Sequence, residues 1–283
     1  MKKLLLFAMF YMVHKTTFAQ SGWLRRANSF NVTVGYAYSL GNTYFATDGV
    51  LNPNANNFIQ RSLNFLGEYG ISNNINVILN FPVYKFQNFE NYSVASGVGN
   101  PQLELKFAVQ KKFPVISFSL GMELPLANQT NYSVSRNINS SGLFDRVNLP
   151  TGYPDFNYWE TLSVSSALGN LPGWISLNSK FVARTKGFNN QFNYGVEVGY
   201  KFTKFFCIIA RLTTQNQIGT NSVKSSIVNG EETEFTAFGL DAAYKITSKI
   251  HVHFDYDFYN DLLLNRKNVY SSPFYRISMS FEY

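Results

Sequence analysis

Phe192, Asn193, Tyr194, Gly195, Val196, Glu197, Val198, Gly199 and Tyr200 follow one another without interruption. Large apolar side chains fall on the even positions and small or polar ones on the odd positions. Successive side chains of a β-strand point to opposite faces, so strict alternation means that the two faces meet different media. Glu197 shares the polar face with Asn193, Gly195 and Gly199. The nine-residue length suits a tilted strand crossing a bilayer, which needs about 9–11 residues.

Working outward, the same period recurs in eleven more stretches: 30–38, 62–69, 75–83, 103–109, 116–124, 162–168, 175–181, 206–212, 238–244, 250–258 and 275–283. Their connections differ in length. Short ones fall near 70–74, 111–114, 169–173, 201–204 and 245–249. Longer ones fall near 40–57, 86–99, 126–155, 185–190, 215–231 and 260–271. Short turns at one end and long loops at the other predict an all-β, transmembrane, antiparallel up-and-down β-barrel of about twelve strands, with the turns in the periplasm. A soluble β-sandwich also alternates, but here the apolar faces are nearly free of charge in every strand. Tyr69, Tyr200, Tyr244 and Tyr283 end four strands that run toward the turns, which predicts an aromatic girdle at that interface.

Composition agrees. Aromatic residues make up 17% of the 283 residues and charged residues only 14%, against about 25% charged in a soluble domain. No apolar run is long enough for a membrane-spanning helix. A single cysteine, Cys207, excludes a disulfide framework. The formal charge is +7, and three of its lysines (Lys2, Lys3 and Lys15) lie in the first 19 residues. The remainder has no basic run, so no nucleic-acid partner is expected.

Those first residues read as an export signal. Met1-Lys2-Lys3 is basic, Leu4 to Val13 is apolar, and Thr17-Phe18-Ala19 places small residues before a cut after Ala19. The expected organisation is a signal peptide over 1–19, a short periplasmic segment over 20–29 and a barrel over 30–283, located in the outer membrane and in contact with its lipid. Tyr283 closes an alternating strand, a feature that resembles the signal by which the barrel assembly machinery recognises such chains.

A family resemblance enters at residues 68–83, Glu-Tyr-Gly-Ile-Ser-Asn-Asn-Ile-Asn-Val-Ile-Leu-Asn-Phe-Pro-Val. Next come Ser96-Gly97-Val98-Gly99-Asn100-Pro101, Leu103-Glu104-Leu105-Lys106-Phe107, and Leu-Gly-Met-Glu-Leu-Pro over 120–125. This resembles the outer-membrane barrels of the MetA pathway of phenol degradation, in which a Gly-x-Gly-Asp segment precedes a Leu-x-Leu-Lys strand. Asn100 stands where that family usually has Asp. The match covers roughly residues 63–125. It implies a channel or transporter for small, often apolar or aromatic, solutes. Fatty-acid transporter barrels carry an N-terminal plug as well, for which residues 20–29 look too few.

Parity assigns the lumen. Glu68, Glu104, Glu123, Glu197, Asp241, Asp255, Asp257 and Glu282 are its acids; Lys106, Lys180, Arg184, Lys201, Arg211 and Arg276 are its bases. Mixed signs suit a salt-bridged interior or a weakly selective pore, since ion selection uses a ring of one sign. His251 and His253 share the face of Asp255 and Asp257. Neighbouring inward residues on one strand stand about 7 Å apart, which suits a polar ladder better than a shared metal ion. No metal, cofactor or catalytic residue is assigned. A lipid hydrolase would need a Ser–His pair and a third group to orient it, and on the outer face, whereas both histidines point inward. The third function class is a structural or adhesive surface barrel acting through its loops. Phe144, Asp145 and Arg146, within the 126–155 loop, are the candidate constriction.

Overall fold

The computed structural model describes residues 21–219 and 232–283; the signal segment and the part of the 215–231 loop from 220 on lie outside them. Twelve antiparallel strands form the wall: β1 (Phe30–Phe45), β2 (Leu51–Ser72), β3 (Ile75–Phe89), β4 (Gln102–Gln110), β5 (Val115–Glu123), β6 (Asn157–Ala167), β7 (Gly173–Arg184), β8 (Asn190–Lys201), β9 (Phe206–Ile218), β10 (Phe235–Lys245), β11 (Ile250–Asn260) and β12 (Phe274–Glu282). Each pairs with the next in sequence, and β1 pairs with both β2 and β12, so Val32 lies opposite Gly67 and Phe281. The sheet is closed and its wall has no free edge.

The faces fall as the alternation predicts. Val34, Leu120, Leu177, Phe254 and Ile277 are exposed on the outside, and Tyr69, Tyr200, Tyr244 and Tyr283 are exposed near the short turns. Ser117, Ser119, Ser163, Ser165 and Ser176 are buried on the inside. A hydroxyl-lined interior packed this tightly is the inverse of a soluble core, and it holds because the outer face is the one built for hydrocarbon.

Two expectations change. The loop expected over 40–57 is mostly strand: β1 and β2 continue as a tall hairpin to the Ala46–Val50 turn, past a bulge between Gly41 and Thr43. Asn and Pro residues read as a loop, but the backbone ladder runs on above the apolar span, where hydropathy no longer alternates. Within 126–155, Tyr132–Ile138 and Phe144–Asn148 pair as a separate hairpin. Ala95–Gly97 adds to β3, and Val269–Tyr270 to β1.

Residues 21–28, expected as a short segment before the barrel, run back from the start of β1 past the 70–74 turn, where the Ala27 N–H donates to Asn73 Oδ1, and then into the lumen, where Ser21, Gly22 and Arg25 are buried. We call them the strap.

Candidate functional site: the barrel lumen

At the turn end the strap is tied down by charge and shape. Arg25 Nε donates to Glu68 Oε2 at 3.0 Å, and its Nη2 to Glu282 Oε1 at 3.3 Å. Asn76 Nδ2 donates to the other Glu68 oxygen at 2.8 Å. Lys106, fully buried, donates from Nζ to the Ser21 carbonyl. The Gly22 N–H donates to Ser165 Oγ at 2.6 Å. A Cβ on Gly22 would stand 2.7 Å from the Val115 carbonyl oxygen, so only glycine passes there. Trp23 packs on Trp174, Cys207, Ile209 and Ala243. Cys207 is thus an inward space-filler, as its parity predicts. Buried ion pairs with further hydrogen bonds hold geometry well, because removing one partner strands the other.

Above the strap the lumen opens into a cavity of about 570 Å³. Its two walls differ. One carries Glu197, Arg211, Asp241, His251, His253, Asp255 and Asp257; the other carries Asn31, Thr33, Gly35, Ser62, Asn64 and Asn80. The charged wall is a network. Arg211 Nη2 donates to Asp255 Oδ1 at 2.6 Å and lies 3.8 Å from Asp241 Oδ2. Arg276 reaches Asp255 at 3.8 Å and stays partly exposed to the cavity. His251 stands 3.7 Å from Glu282. A second cavity of about 280 Å³ shares Leu66 and Asn80 with the first and includes Glu104, Trp159 and Lys180.

Two tryptophans that parity alone places inside were passed over in the sequence. Trp159 Nε1 donates to Glu104 at 3.0 Å and lies under the Lys180 ammonium, 3.9 Å from the ring centroid. Trp174 Nε1 donates to Glu197 at 3.0 Å, with Lys201 at 5.9 Å. Each ring lies on a glycine directly across the ladder, Gly121 for Trp159 and Gly199 for Trp174. A Cβ on either glycine would come within 2.1 Å of the indole. The legible signal was a Trp on a polar face opposite a Gly.

Ser280 Oγ lies 3.2 Å from His253 Nε2, and His253 Nδ1 lies 3.3 Å from Asp241 Oδ2. That is the order of hydroxyl, imidazole and carboxylate in nucleophilic hydrolases. Here the backbone beside Ser280 is committed to ladders with β1 and β11. The chain orients His253. Among the described residues no three His, Cys, Asp or Glu side chains converge as metal ligands.

At the loop end, Phe58, Ala95, Leu149 and Tyr270 form a buried apolar cap with Tyr44, Phe89 and Val147. Phe58 and Tyr270 stack with centroids 4.1 Å apart. Arg184 Nε donates to the buried Asp155 at 2.7 Å, tying the 126–155 loop to β7. Asn100 is held by three hydrogen bonds. Its Nδ2 donates to Glu123 Oε1 and to the Tyr153 carbonyl, both at 3.0 Å, while its Oδ1 accepts from the Ala127 N–H. An Asp there would set a second carboxylate against Glu123 and lose both donors. The expected constriction is corrected: Phe144, Asp145 and Arg146 are exposed on the hairpin, because their strand is paired with Tyr132–Ile138 outside the lumen. The inward parts of that loop are its flanks, at Ala127, Leu149, Thr151 and Asp155.

No family model and no curated protein matches this chain. Solved structures do. An outer membrane channel from Pseudomonas putida F1 superposes with a TM-score of 0.64 at 13% identity, covering 95% of this chain and all of that one. The translocator domain of the autotransporter NalP from Neisseria meningitidis gives 0.54 at 8% identity, over 100% of this chain and 95% of that one. The β domain of the Bordetella autotransporter BrkA gives 0.50 at 9%, over 90% and 100%. This is the fold of outer-membrane barrels. Channels and translocators share it, so what this chain does rests on its own lumen.

Proposed function

We propose that this protein is an outer-membrane channel, exported on a signal peptide cut after Ala19, through which small solutes pass passively. The observation that carries the reading is the pair of neighbouring cavities inside a closed wall, lined by amides, hydroxyls and charges among apolar side chains. The resemblance of residues 63–125 to the phenol-degradation barrels supports apolar or aromatic compounds as the solute class. Assembly through the strand ending at Tyr283 and a wall in contact with outer-membrane lipid belong to the same reading. Passage needs no cofactor, because the work is done by the solute gradient.

Solute entry into proteoliposomes is the test. Uptake of small phenols above that of empty vesicles is expected. No uptake, together with no current in planar bilayers even after removal of residues 21–28, would sink the channel. A surface or adhesive role would then lead, favoured by Tyr132, Ile138, Leu143 and Phe144 standing exposed on the outer hairpin.

A further inference from the structure

The strap is held by two unlike kinds of contact. Arg25, Ser21 and Gly22 engage charges and hydroxyls, each with a partner. Trp23 lies on an apolar patch formed by Trp174, Cys207, Ile209 and Ala243. Its Nε1 is buried without an acceptor among the described residues. An orphaned donor carries a desolvation cost that a hydrocarbon ring of the same outline does not. The patch therefore suits a flat ring lacking an N–H better than it suits the indole that fills it. The walls come from β7, β9 and β10, whose backbones are locked in continuous ladders. They remain in place when Trp23 leaves.

We propose that residues 21–28 are a gate worked by the solute. A flat apolar ring arriving through the lumen takes the place of Trp23, and the strap, held then by its polar contacts alone, comes away from the turn end. The inference rests on the channel reading and adds its regulation. The ring binds only the state with Trp23 displaced, so its binding shifts the population toward the open barrel. Trp23 is the built-in competitor for the site that opens the exit.

Single-channel currents of the full mature chain in planar bilayers test this, with naphthalene as the probe ring. In the unaltered protein, naphthalene should raise the open time about tenfold, the same as a shift of roughly 1.4 kcal/mol. Trp23→Ala should be open already and gain nothing from naphthalene. Gly22→Leu, whose side chain meets the Val115 carbonyl, should also be open, with its indole intact. Both changes lie outside the wall, and heat-modifiable migration on gels reports that the barrel is folded. Equal open times for Trp23→Ala and the unaltered chain would overturn the proposal. So would an equal response of the two to naphthalene. If the chain lacking 21–28 passes no current either, the channel reading itself has failed and takes the gate with it.

Discussion

The two ends of the lumen are built from opposite chemistry. At the loop end, Phe58, Leu149 and Tyr270 pack as a small soluble-type core, with stacked rings and no charge among them. At the turn end, a strap of eight residues is laid across a charged interior and fixed by Arg25 to Glu68 and Glu282. The cap is built into the wall, since Phe58 belongs to β2 and Tyr270 pairs with β1. The strap joins the wall only where β1 begins. The difference teaches that stability and closure are separable here: loss of the cap should damage the fold, while loss of the strap should open a barrel that stays folded.

The largest effect expected is therefore Phe58→Ala. Truncating a buried aromatic costs about 3–5 kcal/mol, and the temperature at which the folded gel band disappears should fall. An unchanged midpoint would mean that the cap is ornament. Next is the wall between the two ends. Leu177→Arg puts a charge on the outer face, 53% exposed and flanked across its two ladders by Val164 and Val196, and should cost about 2–4 kcal/mol, as a charge facing hydrocarbon does. Thr33→Lys, directed into the larger cavity, should cost much less in the same denaturant titration in lipid. Similar losses at Leu177 and Thr33 would mean that the two faces do not see different media.

These contrasts also mark how far the sequence could be read. Alternation gave away all twelve strands and both faces, because lipid and lumen impose a period of two. Above the apolar span that constraint ends, so the tall hairpin of β1 and β2 looked like a loop at Asn52-Pro53. Parity found Glu68, Lys106, Glu197 and the Asp241–Asp255 network, since most charges on the wall strands face inward; Glu160, exposed on the outer face opposite Leu120, is an exception. It was blind to Arg25 and Trp23, which belong to no periodic segment and find their partners only through the closed barrel. In the 126–155 loop, the Phe-Asp-Arg triplet drew the eye by its chemistry, and hairpin pairing decided its place instead.

A smaller effect is expected from Arg25→Ala. It leaves Glu68 with its hydrogen bond from Asn76 and Glu282 facing the cavity, so strap docking should weaken by about 1–3 kcal/mol rather than by the full cost of a stranded buried charge. Faster proteolysis at residues 21–28, with the gel midpoint unmoved, is the outcome that keeps the comparison; a fall in the midpoint would merge the two ends into one cooperative unit. The smallest effect is at Asp261, outside the wall, where hydrogen bonds from Arg266 hold the carboxyl below its usual range. That bond adds stability above the ordinary carboxylate range and loses it as pH falls through the lowered value. Asp261→Asn should abolish the pH dependence of amide exchange in the 262–268 loop and leave both ends as they were.

The strap also carries a lesson about timing. The bonds of residues 21–25 span 43, 85, 143 and 257 positions of sequence. The Arg25 seat, shared between Glu68 on β2 and Glu282 on β12, is complete only when β12 has found β1 and the cylinder is closed. Contacts between such distant residues form slowly, because the intervening chain must be ordered first. The segment leading into the first strand is thus the last to be placed, and its burial is a sign that the barrel has finished assembling.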